Sequence, residues 1–182
     1  MPGMWWLVGA LAVVAVLAAY LAWTAHRVER VHVRAQSASR ALDAHLLRRA
    51  AAAAVVAERT DFAELYAAAR LALDAGPDER EAAENDLTRQ LQAAPPSGSD
   101  PATATLLATS RRVALARQVH TDQVRDALTA RGRPLVRVLR LARQYERPRY
   151  FEIADPTLPA PVPVAPRPAG PVEPAEVRIP AV

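Results

Sequence analysis

Histidine is the side chain in this sequence that is best suited to metal ligation and to proton transfer near neutral pH, and it occurs at positions 26, 32, 45 and 120. A helical zinc site needs two histidines four residues apart, as in HExxH, and no pair has that spacing. The absence of cysteine excludes thiolate metal sites, cysteine nucleophiles and disulfides. We interpret the histidines as surface residues of amphipathic helices and predict no metal site.

Carboxylates are the next candidates for chemistry, and a group of them occurs at Glu79, Glu81, Glu84 and Asp86. These spacings are typical of a solvated helix face with intrahelical ion pairs, and no paired-carboxylate pattern accompanies them. The sequence also lacks a glycine-rich phosphate loop and a G-x-S-x-G turn. It therefore predicts no catalytic residue and no cofactor, and it favours a protein that is not an enzyme.

Arginine is concentrated between residues 131 and 149, where seven arginines face a single glutamate. On a helix, Leu135, Val138, Leu139 and Ala142 would share one side and the basic residues Arg133, Arg137 and Arg140 another. The favoured interpretation is a short helix that caps a bundle, with a solvated basic side. A basic amphipathic helix lying on anionic lipid stays open, as does contact with RNA or an acidic partner.

The overall composition predicts an all-α protein, because alanine, leucine, arginine and glutamate dominate and aromatic residues make up 5%. The pI is about 10.3, although the net charge is only +4. Acidic and basic residues interleave along most of the chain, so the sequence does not favour a nucleic acid partner.

A charge-free apolar segment covers residues 4–25 and follows a short extension, residues 1–3. As a helix it would span roughly 33 Å, which is enough to cross the hydrocarbon layer of a bilayer. Aromatic rings lie at both of its ends, as expected at the two headgroup levels: Trp5, Trp6, Tyr20 and Trp23. The segment is long for a cleaved signal and lacks a small-x-small site after it, so we predict an uncleaved transmembrane anchor.

The flanks of this segment predict its orientation in the cell membrane. Arg27, Arg30, Arg34 and Arg40 follow it and no arginine precedes it. The positive-inside rule then places the N-terminus outside and the remainder of the chain in the cytoplasm.

Beyond the anchor, residues 26–155 are predicted to form an antiparallel bundle of three or four helices. The first helix should continue to about residue 58, and capping boxes at Asp61 and Asp78 should open two further helices. Asp100-Pro101 should start a long helix that ends at Gly132, and Pro134 a shorter one that reaches about Tyr145. The predicted apolar seam is Val31, Ala35, Leu42, Leu46, Val113 and Val124.

Two arginines interrupt the apolar stripes of this bundle, Arg49 in the first helix and Arg117 in the long later helix. A desolvated charge is costly unless it is paired. We therefore expect arginine–carboxylate pairs, such as Arg49 with Asp122, to set the register between these helices.

The order of motifs resembles the LemA family over about residues 5–155. RRVALARQVHTDQVRDAL at 111–128 is similar to the third-helix pattern of that family, LDAHLLRR at 42–49 to its I-D-V-Q-L-K-R-R, and RPRYFEI to the end of its domain. The matching residues that we expect to be structural are Leu42, Asp43, Leu46, Arg48, Arg49, Arg112, Arg117, Val124 and Phe151. The chain departs from the family at the alanine run 50–54 and at His120-Thr121, so polar groups that the family carries there are lost.

The resemblance implies one transmembrane helix that runs into a long helical bundle, in a family for which no reaction is implied. The function that follows is that of a membrane-anchored, non-enzymatic scaffold or adaptor. Its partners would be the lipid bilayer and proteins that the sequence does not identify. Homo-oligomerisation remains open. Tyr150, Phe151 and Ile153 should form an extended strap that buries Phe151 and ends the folded domain near Asp155, unless they are an exposed docking motif. Residues 156–182 are rich in proline and should be a disordered tail, acting as a spacer or as a polyproline ligand.

Overall fold

A computed structural model describes residues 3–93, 95, 100–155 and 158, and within these residues the chain forms five helices and no strand. The helices are α1 (Gly3–Thr60), α2 (Ala63–Asp74), α3 (Arg80–Ala93), α4 (Pro101–Gly132) and α5 (Pro134–Val138). The prediction of a helical chain that begins with one long apolar helix is confirmed. Nearly all of the predicted proline-rich tail, residues 156–182, lies outside the described residues.

Helix α1 is continuous over 58 residues and would be about 87 Å long at 1.5 Å per residue. No glycine or proline interrupts it after Gly9, which explains why the apolar first part and the amphipathic second part form one helix. Residues 3–23 are exposed, and burial by other elements begins at Thr24. The two parts therefore have different surroundings although they share one backbone.

The end of α1 differs from the prediction, because Asp61 does not cap α2. Asp61 has a left-handed backbone with φ of 52°, and the N–H of Phe62 donates to the carbonyl of Ala57 at 3.0 Å. This hydrogen bond links two residues that are five positions apart, as in the Schellman motif that ends many helices. Phe62 is then the N-terminal flanking residue of α2 and offers no side-chain cap.

Alanines allow α2 to pack closely against α1 and against α3. Ala50 and Ala53 of α1 and Ala69 of α2 are fully buried, in one apolar cluster with Leu87 and Leu91 of α3. The alanine run of α1 thus contributes to close helix packing. Leu158 also belongs to this cluster and is 8% exposed, so the packed part of the chain extends beyond the predicted boundary at Asp155.

Helix α4 returns along the second part of α1, antiparallel to it. Val113, near its start, packs with Leu42 and Leu46, and Arg131, at its end, reaches His32. The predicted cap is confirmed: the carboxylate of Asp100 accepts the N–H of Ala102 at 2.9 Å and of Thr103 at 3.2 Å. The hydrogen bond from the Thr103 hydroxyl lowers the pKa of Asp100, and the two backbone bonds act in the same direction.

The segment after Pro134 is helical only to Val138, whereas the sequence predicted a helix to about Tyr145. Leu139 to Gln144 form turns, and Arg140 has a φ of 52°. Val136 and Ala142 both pack against Val28 of α1. Two residues six apart on a continuous helix would point about 120° away from each other, so the break allows both to contact α1.

Most of the predicted apolar seam is confirmed, since Ala35, Leu42, Leu46, Val113 and Val124 are all at most 4% exposed. Val31 is only half-buried. Of the side predicted to be apolar in the last helix, Ala142 is buried, whereas Leu135, Val138 and Leu139 are exposed.

Candidate functional site

The first candidate surface is the apolar part of α1, which is long and apolar enough by length and composition to cross a membrane. Its side chains have no covering element, and Trp5 and Trp6 are 80% and 83% exposed. At the other end, the rings of Tyr20 and Trp23 stack with centroids 6.2 Å apart. The guanidinium of Arg27 lies 5.6 Å from the centre of the Trp23 ring, within cation–π distance.

A buried polar network connects α1 with α3. The guanidinium of Arg49 donates from Nη1 to Oε2 of Glu84 at 3.2 Å and from Nη2 to the hydroxyl of Thr88 at 2.9 Å. Thr88 in turn donates to the carbonyl oxygen of Glu84 at 2.8 Å. Both charged side chains have no exposed surface. Oε1 of Glu84 and Nε of Arg49 have no hydrogen-bond partner, so the network is incompletely satisfied.

Burial dominates the ionisation of this pair. Desolvation raises the pKa of Glu84 to about 7, although the attraction of Arg49 opposes the shift. Desolvation likewise lowers the pKa of Arg49, again against the attraction of its partner. Glu84 therefore does not lie on a solvated face, as its sequence spacing had suggested.

The expected pair between Arg49 and Asp122 is not formed. Asp122 is exposed and contacts Arg125 of its own helix at 3.4 Å. Arg117, the other arginine in an apolar stripe, donates to the carbonyl oxygen of Ile153 at 2.8 Å. Both arginines do bind elements other than their own helix, but the partners lie in α3 and in the C-terminal segment.

A cleft of about 610 Å³ lies between α1, α4, the turn before α3 and the segment 146–151. Clefts of this size accommodate small organic ligands. Its charged and polar lining side chains are His32, Gln36, Ser39, Asp43, Asp78, Glu81, His120, Glu146, Arg147, Arg149 and Tyr150. The lining thus contains four carboxylates and two arginines, which gives it a net negative charge.

His120 is the most distinctive residue of this cleft, because it is only 4% exposed and its Nδ1 has no hydrogen-bond partner. Burial lowers its pKa, and the carboxylate of Asp43 acts in the opposite direction. Burial therefore favours the neutral imidazole, and its enclosed Nδ1 is left without a hydrogen-bond partner. The interpretation of this histidine as a surface residue is wrong.

His32 is also buried, in contrast to the sequence interpretation, and it links α1 to the end of α4. Its Nδ1 lies 2.7 Å from the carbonyl oxygen of Val28, and its Nε2 lies 3.3 Å from Nη1 of Arg131. A guanidinium can only donate, so Nε2 accepts and the proton lies on Nδ1. Tyr145 stacks on the imidazole with ring centroids 4.8 Å apart.

Residues 150–155 form an extended strap over α3 and α4. The N–H groups of Glu152 and Ala154 donate to the side chains of Glu81 at 3.2 Å and Asn85 at 2.7 Å. Ile153 is 5% exposed and packs with Leu42, Leu46 and Val113. Phe151 is half-buried against the same cluster, less than predicted, and Tyr150 is 44% exposed.

The residues expected to be structural occupy three environments. Leu42, Leu46, Arg49 and Val124 are buried, whereas Arg48 and Arg112 are exposed. Asp43 is half-buried and lines the cleft. Sequence reasoning missed Glu84 and Thr88, although Glu84, Leu87, Thr88 and Leu91 recur at the three- and four-residue spacing of a buried helix face.

Among the described residues, no group of three histidine or carboxylate side chains is placed to hold a metal ion. The described residues form an apolar helix surface, a cleft lined by more carboxylates than arginines, and a basic segment after α4. No family model matches the sequence, and neither a characterised protein nor a solved structure shows significant similarity to the chain.

Proposed function

We propose that this chain is a single-pass membrane protein, similar to the LemA family, whose helical bundle acts as a scaffold or adaptor and not as an enzyme. The observation that carries the proposal is the continuity of α1, whose residues 3–23 are exposed while its later part packs against α2 and α4. An apolar side chain left in water forgoes about 1.5–3 kcal/mol of burial free energy. An apolar surface of this extent therefore needs a lipid or protein cover.

The orientation proposed is an external N-terminus, with the bundle and the proline-rich tail in the cytoplasm. The arginines at 27, 30, 34 and 40 support it through the positive-inside rule. Because the chain has no cysteine, single cysteines can report accessibility to a membrane-impermeant maleimide. An Arg111→Cys variant should react only after the cells are permeabilised. Labelling in intact cells would contradict this orientation.

The adaptor role is tested by affinity purification from native membranes. Leu11→Arg combined with Val14→Arg places two charges in the centre of the apolar segment, which disfavours insertion. Proteins that associate with the anchored scaffold should co-purify with the wild-type chain and not with this variant. Equal recovery with both chains, or no stoichiometric partner with either, would contradict a membrane-dependent adaptor.

A second candidate function is recognition of a small organic cation in the cleft, and the four carboxylates of its lining favour it. The excess of carboxylates in the lining would attract an ammonium group. Calorimetric titration of the full chain with spermidine tests this role. Asp43→Asn should weaken binding about tenfold, because it removes a charged hydrogen bond. Asp126→Asn, an exposed change on α4, is the control; no binding, or equal loss in both variants, would reject the role.

A further inference from the structure

The basic segment after α4 lies beside the end of the apolar part of α1. Val136 and Ala142 pack on Val28, only three residues beyond Ala25, where the apolar run ends. Three helical residues advance about 4.5 Å, and the headgroup layer of a bilayer is about 5–8 Å thick on each side. This inference rests on the proposed function, in which α1 crosses the membrane. The basic segment then lies at headgroup depth.

Arginines converge in this segment around one hollow. A hollow of about 470 Å³ is lined by Val136 and Ala142 together with four basic side chains: Arg131, Arg137, Arg140 and Arg143. No acidic residue lines it. The positive φ of Arg140 reverses the chain at this point, so that arginines before and after the turn face the same space.

The charges of three of these arginines are not compensated. Arg131 donates to the carbonyl oxygen of Tyr145 at 3.0 Å. Within residues 3–93 and 100–155, by contrast, no carboxylate lies within ion-pair distance of Arg137, Arg140 or Arg143. Guanidinium groups around one hollow repel each other unless an anion lies between them. The arrangement is thus complementary to a phosphate, which accepts paired hydrogen bonds from arginine.

Apolar side chains next to these arginines are left uncovered. Val138 is 79% exposed, and Leu139 and Leu135 are 43% and 37% exposed. Segments that bind the surface of anionic bilayers combine exposed apolar side chains with neighbouring basic side chains. A soluble anion such as RNA would use the arginines but would leave these apolar tips in water.

We propose that Arg137, Arg140 and Arg143 bind the phosphate groups of anionic phospholipids, while Val138 and Leu139 enter the acyl boundary of the same leaflet. The segment then fixes the packed helices against the membrane surface at a second point, besides the transmembrane helix. It selects anionic over zwitterionic lipid, because only the former brings net negative charge to the hollow.

Native mass spectrometry of the full chain in detergent micelles tests this selection, with equal amounts of phosphatidylglycerol and phosphatidylcholine added. The wild-type chain should retain phosphatidylglycerol preferentially. The triple variant Arg137→Gln, Arg140→Gln, Arg143→Gln should retain about tenfold less phosphatidylglycerol than the wild-type chain, since each surface cation contributes measurably to anionic lipid binding. Arg131 is left unchanged because it also contacts His32.

The matched control is Arg48→Gln, Arg111→Gln, Arg112→Gln, which removes the same charge from exposed arginines farther along the packed helices. It should retain lipid as the wild-type chain does, and circular dichroism should show equal helix content in all three proteins. Equal retention of the two lipids by the wild type, or equal loss in both variants, would overturn the proposal. Preferential retention of an RNA oligonucleotide without any lipid preference would also overturn it.

This result is separable from the membrane anchoring of α1. Lipid preference is measured in micelles, whereas anchoring is measured by extraction from membranes. A chain that stays in the membrane without selecting anionic lipid would overturn only the arginine site. A chain that selects anionic lipid in micelles but leaves membranes on extraction would overturn only the anchor.

Discussion

Nη1 of Arg49 and Oε2 of Glu84 lie 3.2 Å apart at a position where neither side chain reaches solvent. The pair joins α1 to α3, and Thr88 accepts a further bond from the same guanidinium. A buried ion pair is weak evidence for stability, since desolvation opposes the attraction. Loss of one partner is nevertheless severe, because the other charge is left buried without compensation.

The removal of Glu84 should therefore destabilise the chain strongly. We expect Glu84→Ala to lower the free energy of unfolding by about 3–5 kcal/mol, measured by circular dichroism of the full chain in micelles. Asp86→Ala breaks an exposed pair with Arg89 in the same helix and should cost less than about 1 kcal/mol. An apolar replacement of both partners, Arg49→Met with Glu84→Leu, should recover most of the loss. Similar losses in the Glu84→Ala and Asp86→Ala variants would contradict the buried network.

The same pair makes stability dependent on pH. Burial raises the pKa of Glu84 from 4.5 to about 7, so the folded chain holds this proton more tightly than the unfolded chain. The contribution of Glu84 is fully present below about pH 4.5 and is lost as pH rises to about 7. Glu84→Gln cannot ionise, so its stability relative to that of the wild type should rise by roughly 1–3 kcal/mol between pH 4.5 and 8, in addition to a pH-independent cost of leaving Arg49 without a carboxylate. A difference that does not change with pH would refute this assignment.

The apolar contact of α1 with α4 is tested at two adjacent leucines. Leu46 is fully buried between Leu42 and Val113, whereas Leu47 is 38% exposed. Leu46→Asp should lower the free energy of unfolding by more than about 3 kcal/mol, because it buries an unpaired carboxylate. Leu47→Asp introduces the same charge at the next position and should have a small effect. If the two midpoints were equally lowered, the seam would lie on another face of α1.

The strap 150–155 should stabilise the fold chiefly through Ile153. Ile153→Ala should cost about 2–3 kcal/mol, near the low end for such changes because the strap can adjust. Tyr150→Ala, at a side chain 44% exposed, should change the melting midpoint little. Unchanged midpoints in both variants would favour the alternative in which the segment is an exposed docking motif. Truncation after Asp155 should also lower the melting midpoint, because it removes buried Leu158.

Local patterns in the sequence predicted the parts of the fold that depend on local physics. The four-residue spacing of Leu42 and Leu46 predicted their burial, and Asp100-Pro101 predicted the start of α4. The extent of α1 followed from the absence of helix breakers after Gly9.

Features that depend on distant contacts were not predictable in the same way. Arg49 was expected to need a partner, but only the packing of α3 on α1 brings Glu84 to it from 35 positions away. The helix after Pro134 ends at Val138, and Val136 and Ala142 share one apolar cluster with Val28, an arrangement that helical periodicity alone does not show. The cleft around His120 likewise exists only because segment 146–151 returns to α1.

The central claim is that the apolar part of α1 holds the chain in a lipid bilayer, and alkaline carbonate extraction of native membranes tests it most directly. The wild-type chain should remain in the membrane pellet at pH 11, and the Leu11→Arg, Val14→Arg variant should move to the supernatant. Release of the wild-type chain into the supernatant would contradict the account. So would retention of the doubly charged variant in the pellet to the same extent as the wild-type chain.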